Sequence, residues 1–225
     1  MNSAEVAFIE AFRSDTLSLE AGASIIREQS QTERLFTLFS GWAFRYKSLS
    51  DGRRQILNFM LPGDFFGLQQ QFADGATYGV EAITDVALCV FPSGRLWEFY
   101  RAYPRLGYDL TWLSAREEQM LDENLLTTGR RSAMERVAVL LIHLFKRAQR
   151  VHLVDPDNGF AFPLTQQHVA DALGLSLVHT NRTLRKLQQL GLHSLADGRL
   201  VLRNAKALKQ LADYADHPIG QVPLI

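Results

Sequence analysis

The stretch LTQQHVADALGLSLVHTNRTLRKLQQLGL, Leu164 to Leu192, holds two helical patterns parted by a glycine and a serine. Thr165 stands where its hydroxyl caps QQHVADAL, Gly174 ends that run by accepting positive φ, and Ser176 caps a second helix that begins at Leu177. Two helices are therefore predicted to meet across a three-residue turn. Val169, Ala170 and Leu173 on the first, with Leu175, Thr180, Leu184 and Leu187 around the turn and on the second, form the inner faces, and small Ala170 permits a close crossing. Val178, His179, Asn181, Arg182, Arg185 and Lys186 are left largely outside.

Those outer groups suit base edges and phosphates. An arginine reads guanine O6 and N7 through two parallel donors, and the first turns of the second helix are the part that enters a major groove. Arg182 is the expected base reader, with His179 and Val178 beside it. Thr165, Gln166, Ser176, Asn181, Arg185 and Lys186 are expected to meet the DNA backbone and fix orientation without reading sequence. The following GLHSLADGRLVLR turns two short strands back at Asp197-Gly198 and leaves Arg199 near the tip, a wing whose arginine is expected to reach the backbone too.

The rest of the chain fits a protein built around that unit. Residues 1–129 carry 11 Lys/Arg against 17 Asp/Glu, and residues 130–225 carry 13 against 7, so a net charge of zero divides into −6 and +6. A polyanion is drawn to the second part only; the plainer alternative is that two domains differ in surface charge. The longest apolar run, Val137 to Leu144, is broken by His143 and too short to span a bilayer, and the N-terminus is acidic, so a soluble, unexported, cytoplasmic protein without membrane association is expected. The single cysteine, Cys89, sits in the strand-like DVALCVF and is expected to be a buried, inert thiol.

From about Leu17 to Phe91, short strand-like stretches (ASIIRE, RLFTLF, WAFRYKSL, RQILNFML, TDVALCVF) alternate with Gly, Asp-Gly and Pro-Gly turn signals, as an antiparallel sandwich or barrel requires. Asp51-Gly52 is the sharpest hairpin signal, a tight turn wanting positive φ at both positions. From Pro104 the pattern becomes one long helix. Leu106, Leu110, Leu113, Met120 and Asn124 give a narrow seam suited to pairing with a second copy, although such a stripe also suits docking on the chain's own β domain. Gly129-Arg130-Arg131 reads as a break before another helix, Ala133 to Arg147, and VDPDNGFAFP as a turn-rich connector.

The helix-turn-helix stretch resembles the DNA-binding domain of the Crp/Fnr family of bacterial transcription regulators. LSDGRRQILNFMLPGDFFGL resembles that family's cyclic-nucleotide-binding-like β-roll, and the long helix stands where the family's dimerisation helix does. The resemblance implies an α+β protein: an antiparallel, jelly-roll-like β-roll over residues 1–103, a dimerisation helix over 104–129 and a winged helix-turn-helix over 130–225. It implies a sequence-specific DNA-binding homodimer on an inverted repeat, with double-stranded DNA and RNA polymerase as partners. Members that bind cyclic AMP carry a Gly-Glu pair followed by Arg-Ser or Arg-Thr; here the places read Gly67-Leu68 and Ala76-Thr77. Without the carboxylate and the guanidinium, a cyclic phosphate loses its charge-assisted contacts. One cysteine supplies no iron-sulfur cluster, and no histidine precedes His143, so histidine-ligated haem in the β domain is not expected. Many relatives have a glutamate where this chain has Val178, which offers only apolar contact to a thymine methyl, whereas Arg182 matches the family's guanine-reading arginine.

No cofactor, metal or effector is named by these residues. A β-barrel metalloenzyme would need converging histidines, but all six (His143, His152, His168, His179, His193, His217) lie in the second part, widely spaced, and His152 with Asp155 and Asp157 reads as a solvated connector. No P-loop, GxSxG or paired Cys-His motif offers a carrier for catalysis. A constitutive DNA-binding dimer, its β domain a scaffold or protein-docking surface, stands as the alternative.

Overall fold

The computed structural model describes residues 2–215; His217 lies outside the described residues. They form two compact units, residues 2–52 with 58–121 and residues 53–57 with 122–215, and the boundary falls inside the long helix, between Leu121 and Asp122.

The first unit opens with α1 (Ser3–Phe12), whose first turn is closed by a capping box: Asn2 Oδ1 accepts from the Glu5 N–H at 2.9 Å, and Glu5 Oε2 accepts from the Asn2 N–H at 2.7 Å. Eight strands follow: β1 (Asp15–Leu19), β2 (Ser24–Ile26), β3 (Arg34–Ser40), β4 (Ala43–Ser48), β5 (Arg54–Met60), β6 (Phe65–Phe66), β7 (Gly79–Ala82) and β8 (Val86–Pro92). They make two four-stranded sheets, ordered β1-β8-β3-β6 and β2-β7-β4-β5. β8 runs antiparallel to β1 and β3, and β7 antiparallel to β2 and β4, which is the antiparallel β-roll expected from the turn spacing. Its core is mostly apolar and strand-borne, with Leu35, Leu38, Phe44, Val80 and Leu88 buried. Gly41, at φ 88°, lets the β3–β4 turn lie against the Asp85 carbonyl, which any Cβ would strike.

Two details of the strands differ from expectation. Along β8 the period of two sends Val86, Leu88 and Val90 inward, so Cys89 falls on the opposite face, where it is half-buried with Arg13 Nη1 4.0 Å from its sulfur. At Asp51-Gly52 only Gly52 has positive φ, and its N–H donates to the Leu49 carbonyl at 3.0 Å, so the β4–β5 connection is a longer loop rather than a two-residue turn.

After α2 (Leu96–Ala102) comes α3 (Pro104–Arg130), which runs on through Gly129 and breaks at Arg131. The seam expected to pair with a second copy divides in two. Leu106 is completely buried in a cluster with Phe12 and Phe99, and Leu110 is buried as well. Leu113, Met120 and Asn124 are half-buried. An apolar stripe marks the helix face that is covered, and here the chain covers the start of it itself. Exposed positions run along the other side at steps of three and four: Tyr108, Thr111, Ala115, Gln119, Asp122 and Leu126.

In the second unit, α4 (Ala133–Arg150) is capped by Ser132 and Glu135, and its Val137, Ala138, Leu141 and Leu144 lie in the core. Next come β9 (Gly159–Ala161), α5 (Gln166–Leu173), α6 (Leu177–Gln189), β10 (His193–Ala196), β11 (Arg199–Leu202) and α7 (Ala205–Leu211). The last three strands form a sheet ordered β10-β11-β9. No helix among the described residues is long and apolar enough to cross a membrane.

Candidate nucleic-acid interface

The helix-turn-helix is built by its caps. Thr165 accepts from the His168 N–H at 3.1 Å while His168 Nδ1 accepts from the Thr165 N–H at 3.2 Å, closing the first turn of α5. Gly174 ends α5 at φ 61°, a left-handed conformation open to glycine, and Ser176 accepts from the His179 N–H at 3.2 Å to start α6. The turn is Gly174-Leu175-Ser176, three residues as read from the sequence. Arg136 on α4 holds the pair in place, donating from Nε to the Arg131 carbonyl at 2.8 Å and from Nη1 to the Leu173 carbonyl at 2.9 Å. That second bond satisfies a C-terminal carbonyl of α5 and places a cation where the helix dipole is negative.

Inside the angle, Val169, Ala170, Leu173, Thr180, Leu184 and Leu187 are buried, whereas Leu175 is only half-buried. Thr183 joins the buried face, a position the sequence reading passed over. The opposite stripe of α6 is Val178, Arg182, Arg185 and Gln189, spaced four, three and four residues apart and all exposed, Val178 at 79%. Arg182 and Val178, two of the expected base readers, thus share one outward line. His179 and Asn181 flank it, half-buried, and Lys186 is exposed on the side of His179. Thr165, Gln166 and Ser176 are exposed at the starts of α5 and α6, where unpaired backbone donors and positive dipole ends favour phosphate oxygens. Gln189 was missed; its signal was its place at i+7 from Arg182 and i+4 from Arg185.

Arg199 stands where the hairpin was expected, beside the two-residue turn of Asp197 (φ 50°) and Gly198 (φ 69°), and it pairs in register with Ala196. Its guanidinium, however, turns to the connector: Nη2 lies 2.6 Å from Asp155 Oδ2 and 2.6 Å from Asp157 Oδ1, and Nη1 donates to Asp157 Oδ2 at 3.0 Å. These carboxylates hold the guanidinium charged, and Arg199 in turn holds the Asp157 carboxyl below its ordinary range. Both aspartates precede β9, the third strand of the wing sheet, which the sequence reading took as part of the connector. The backbone of Gly159 lies under the same guanidinium, which a Cβ there would strike. Asp155 and Asp157 therefore fasten the wing, and no group of His, Cys, Asp and Glu among the described residues is arranged to hold a metal ion.

In the β-roll, Gly67 (φ 101°) opens the turn carrying Leu68, and its N–H donates to the Tyr78 hydroxyl at 3.2 Å. Ala76 is buried and, like Leu68, carries no charge.

Comparison with known proteins matches residues 16–103 to the cyclic nucleotide-binding domain family and residues 135–211 to the Crp-like helix-turn-helix domain family. The chain is similar to the nitrogen fixation regulation protein FixK of Bradyrhizobium diazoefficiens, 30% identical over 192 residues that cover 85% of this chain and 79% of that one. It is similar also to the transcriptional activator protein FnrL of Cereibacter sphaeroides, 29% identical over 203 residues, 88% of this chain and 81% of that one. Among solved structures, FixK2 from Bradyrhizobium japonicum superposes with a TM-score of 0.80 at 30% identity, covering 91% of this chain and 98% of that one.

Proposed function

The chain belongs to the Crp/Fnr family of DNA-binding transcription regulators, and from that premise we propose that it acts as a homodimer on an inverted-repeat operator, with α6 of each subunit laid in a major groove. The observation that carries this reading is the outward stripe Val178, Arg182, Arg185 and Gln189 on a helix whose other side is buried. Arg182 reads a guanine, Val178 meets a thymine methyl, and His179 flanks them. Arg185, Lys186 and Asn181 meet the backbone, as do the helix starts at Thr165, Gln166 and Ser176. Arg199 serves by fixing the wing, since its guanidinium already has two carboxylates.

The second copy meets the exposed side of α3, at Tyr108, Ala115 and Leu126, because Leu106 and Leu110 lie within the protomer's own core. Two-fold symmetry then sets half-sites about one helical turn apart, roughly 34 to 36 Å. RNA polymerase is the partner such a regulator addresses once bound. Cyclic AMP is not its effector, because Leu68 and Ala76 bring neither carboxylate nor guanidinium to the roll. The same observation favours, as a second reading, a dimer that binds DNA constitutively.

Selection of bound duplexes from random DNA by the purified protein tests the operator reading. The expected product is an inverted repeat with a guanine in each half-site. Recovery of no preferred sequence, or of a single unrepeated site, overturns the reading. Adding cell extract to the selected duplex separates the two versions: unchanged affinity favours the constitutive one.

A further inference from the structure

β4 carries a charged side chain into the core of the roll. Arg45 follows Ala43 and Phe44, both fully buried, and is itself 1% exposed. A guanidinium out of water needs a counter-charge, and the one it meets is on α3: Glu117 Oε1 lies 2.6 Å from Arg45 Nη1, with the Glu117 side chain 24% exposed. The guanidinium also sits over the Tyr78 ring, 4.9 Å from its centroid. Tyr78 is buried, burial pushes its phenol above the usual range, and its hydroxyl accepts the Gly67 N–H. The Gly67 turn, the Tyr78 ring beneath the Arg45 guanidinium and the Glu117 carboxylate on the long helix therefore follow one another inside the roll.

We propose that the Arg45–Glu117 pair is an internal latch: it fixes α3 against the roll by neutralising charge within the chain, so that the DNA-binding state forms without an anionic effector. Removing one partner leaves the other charge uncompensated, so α3 is held in the one register that keeps Glu117 at Arg45. This rests on the regulator reading above and adds what sets its activity. A pair that merely fills core volume would be replaceable by apolar side chains; a latch would not.

The test uses the full-length protein and the duplex it selects. Glu117→Gln and Arg45→Met are each expected to lower operator affinity by roughly 5- to 150-fold, the usual range of coupling between sites, and to speed hydrogen exchange in residues 111–121. The charge-exchanged protein, Arg45→Glu with Glu117→Arg, is expected to recover part of that loss, giving a non-zero interaction in a double-mutant cycle. Wild-type affinity and exchange in a folded Glu117→Gln protein overturn the latch, and so does wild-type affinity when both residues are methionine. If Glu117→Gln does not fold, Glu117→Asp, which keeps the charge but shortens its reach, provides the same comparison. A wild-type protein that selects no duplex sinks the regulator reading, and hydrogen exchange alone then decides the latch.

Discussion

Arg182 on α6 and Arg45 on β4 carry the same guanidinium in opposite settings. The first is exposed on a helix whose apolar side is fully used; the second is 1% exposed and tied to Glu117. An exposed cation costs the fold little and is available to a partner, whereas a buried one commits its neighbours to neutralising it. Arg199 lies between them, at the surface but held by Asp155 and Asp157. The difference teaches that a basic residue's availability is set by which carboxylates the fold brings to it, and the composition of the positively charged half does not reveal that.

The comparison breaks most visibly where a new charge enters a committed site. Leu110→Asp places a carboxylate at a buried position of α3 and is expected to cost more than ~4 kcal/mol, unfolding the first unit in urea titration. Leu126→Glu, on the exposed side of the same helix, is expected to leave the protomer folded but yield monomers in sedimentation with at least ~10-fold weaker operator binding. Monomers from neither variant, or unfolding from both, would remove the distinction between the two faces.

Arginine removal sharpens it. Arg182→Ala is expected to lose ~1 to 3 kcal/mol per half-site on the selected duplex and to relax preference at one base pair. Arg199→Ala is expected to keep that preference and to loosen the wing instead, read as faster amide exchange in β9 and β11. Full discrimination by Arg182→Ala would mean that the reading face of α6 lies elsewhere.

A half-buried titratable group gives the next effect. Burial lowers the His143 pKa from 6.5 to about 4. The folded value is below the unfolded one, so the contribution to stability is complete above pH 6.5 and is lost as pH falls through about 4. At 1.36 kcal/mol per unit the loss is on the order of 3 kcal/mol. His143→Leu is expected to flatten urea stability of the second unit between pH 7 and 4; an unchanged slope would assign the acid sensitivity to other groups.

The smallest effect belongs to Lys186, exposed on α6 with phosphates as its expected partners. Lys186→Ala is expected to weaken specific and random duplexes alike and to reduce the slope of log affinity against log salt by about 1 per lost contact. Selective weakening of the specific duplex would make Lys186 a reader.

What was legible beforehand follows from how local each signal is. The helix-turn-helix was read to the residue because Thr165, Gly174 and Ser176 act within one turn of chain. The same dipeptide, Asp-Gly, gave one tight turn at 197–198 and a longer loop at 51–52, because strand register, a distant property, fixes loop length. The Leu106 and Leu110 stripe announced a covered helix face but not what covers it. Arg45 was invisible for a similar reason: a charged residue in a strand reads as outward until the partner that lets it face inward, 72 positions on at Glu117, is placed. Strand β9 was lost in a turn-rich connector because three residues carry too little pattern.

The wing sheet joins Ala161 to Arg199, residues separated by the whole of α5 and α6. The two helices form from near neighbours in sequence, while the strand pairing has to close a long loop, which is entropically the slower event. During synthesis the recognition helix therefore exists before its wing does, and until β11 has emerged and zipped onto β9 the nascent domain presents a helix pair with no finished flank. The order in which the chain leaves the ribosome thus delays completion of the helix-turn-helix flank until β11 has been made.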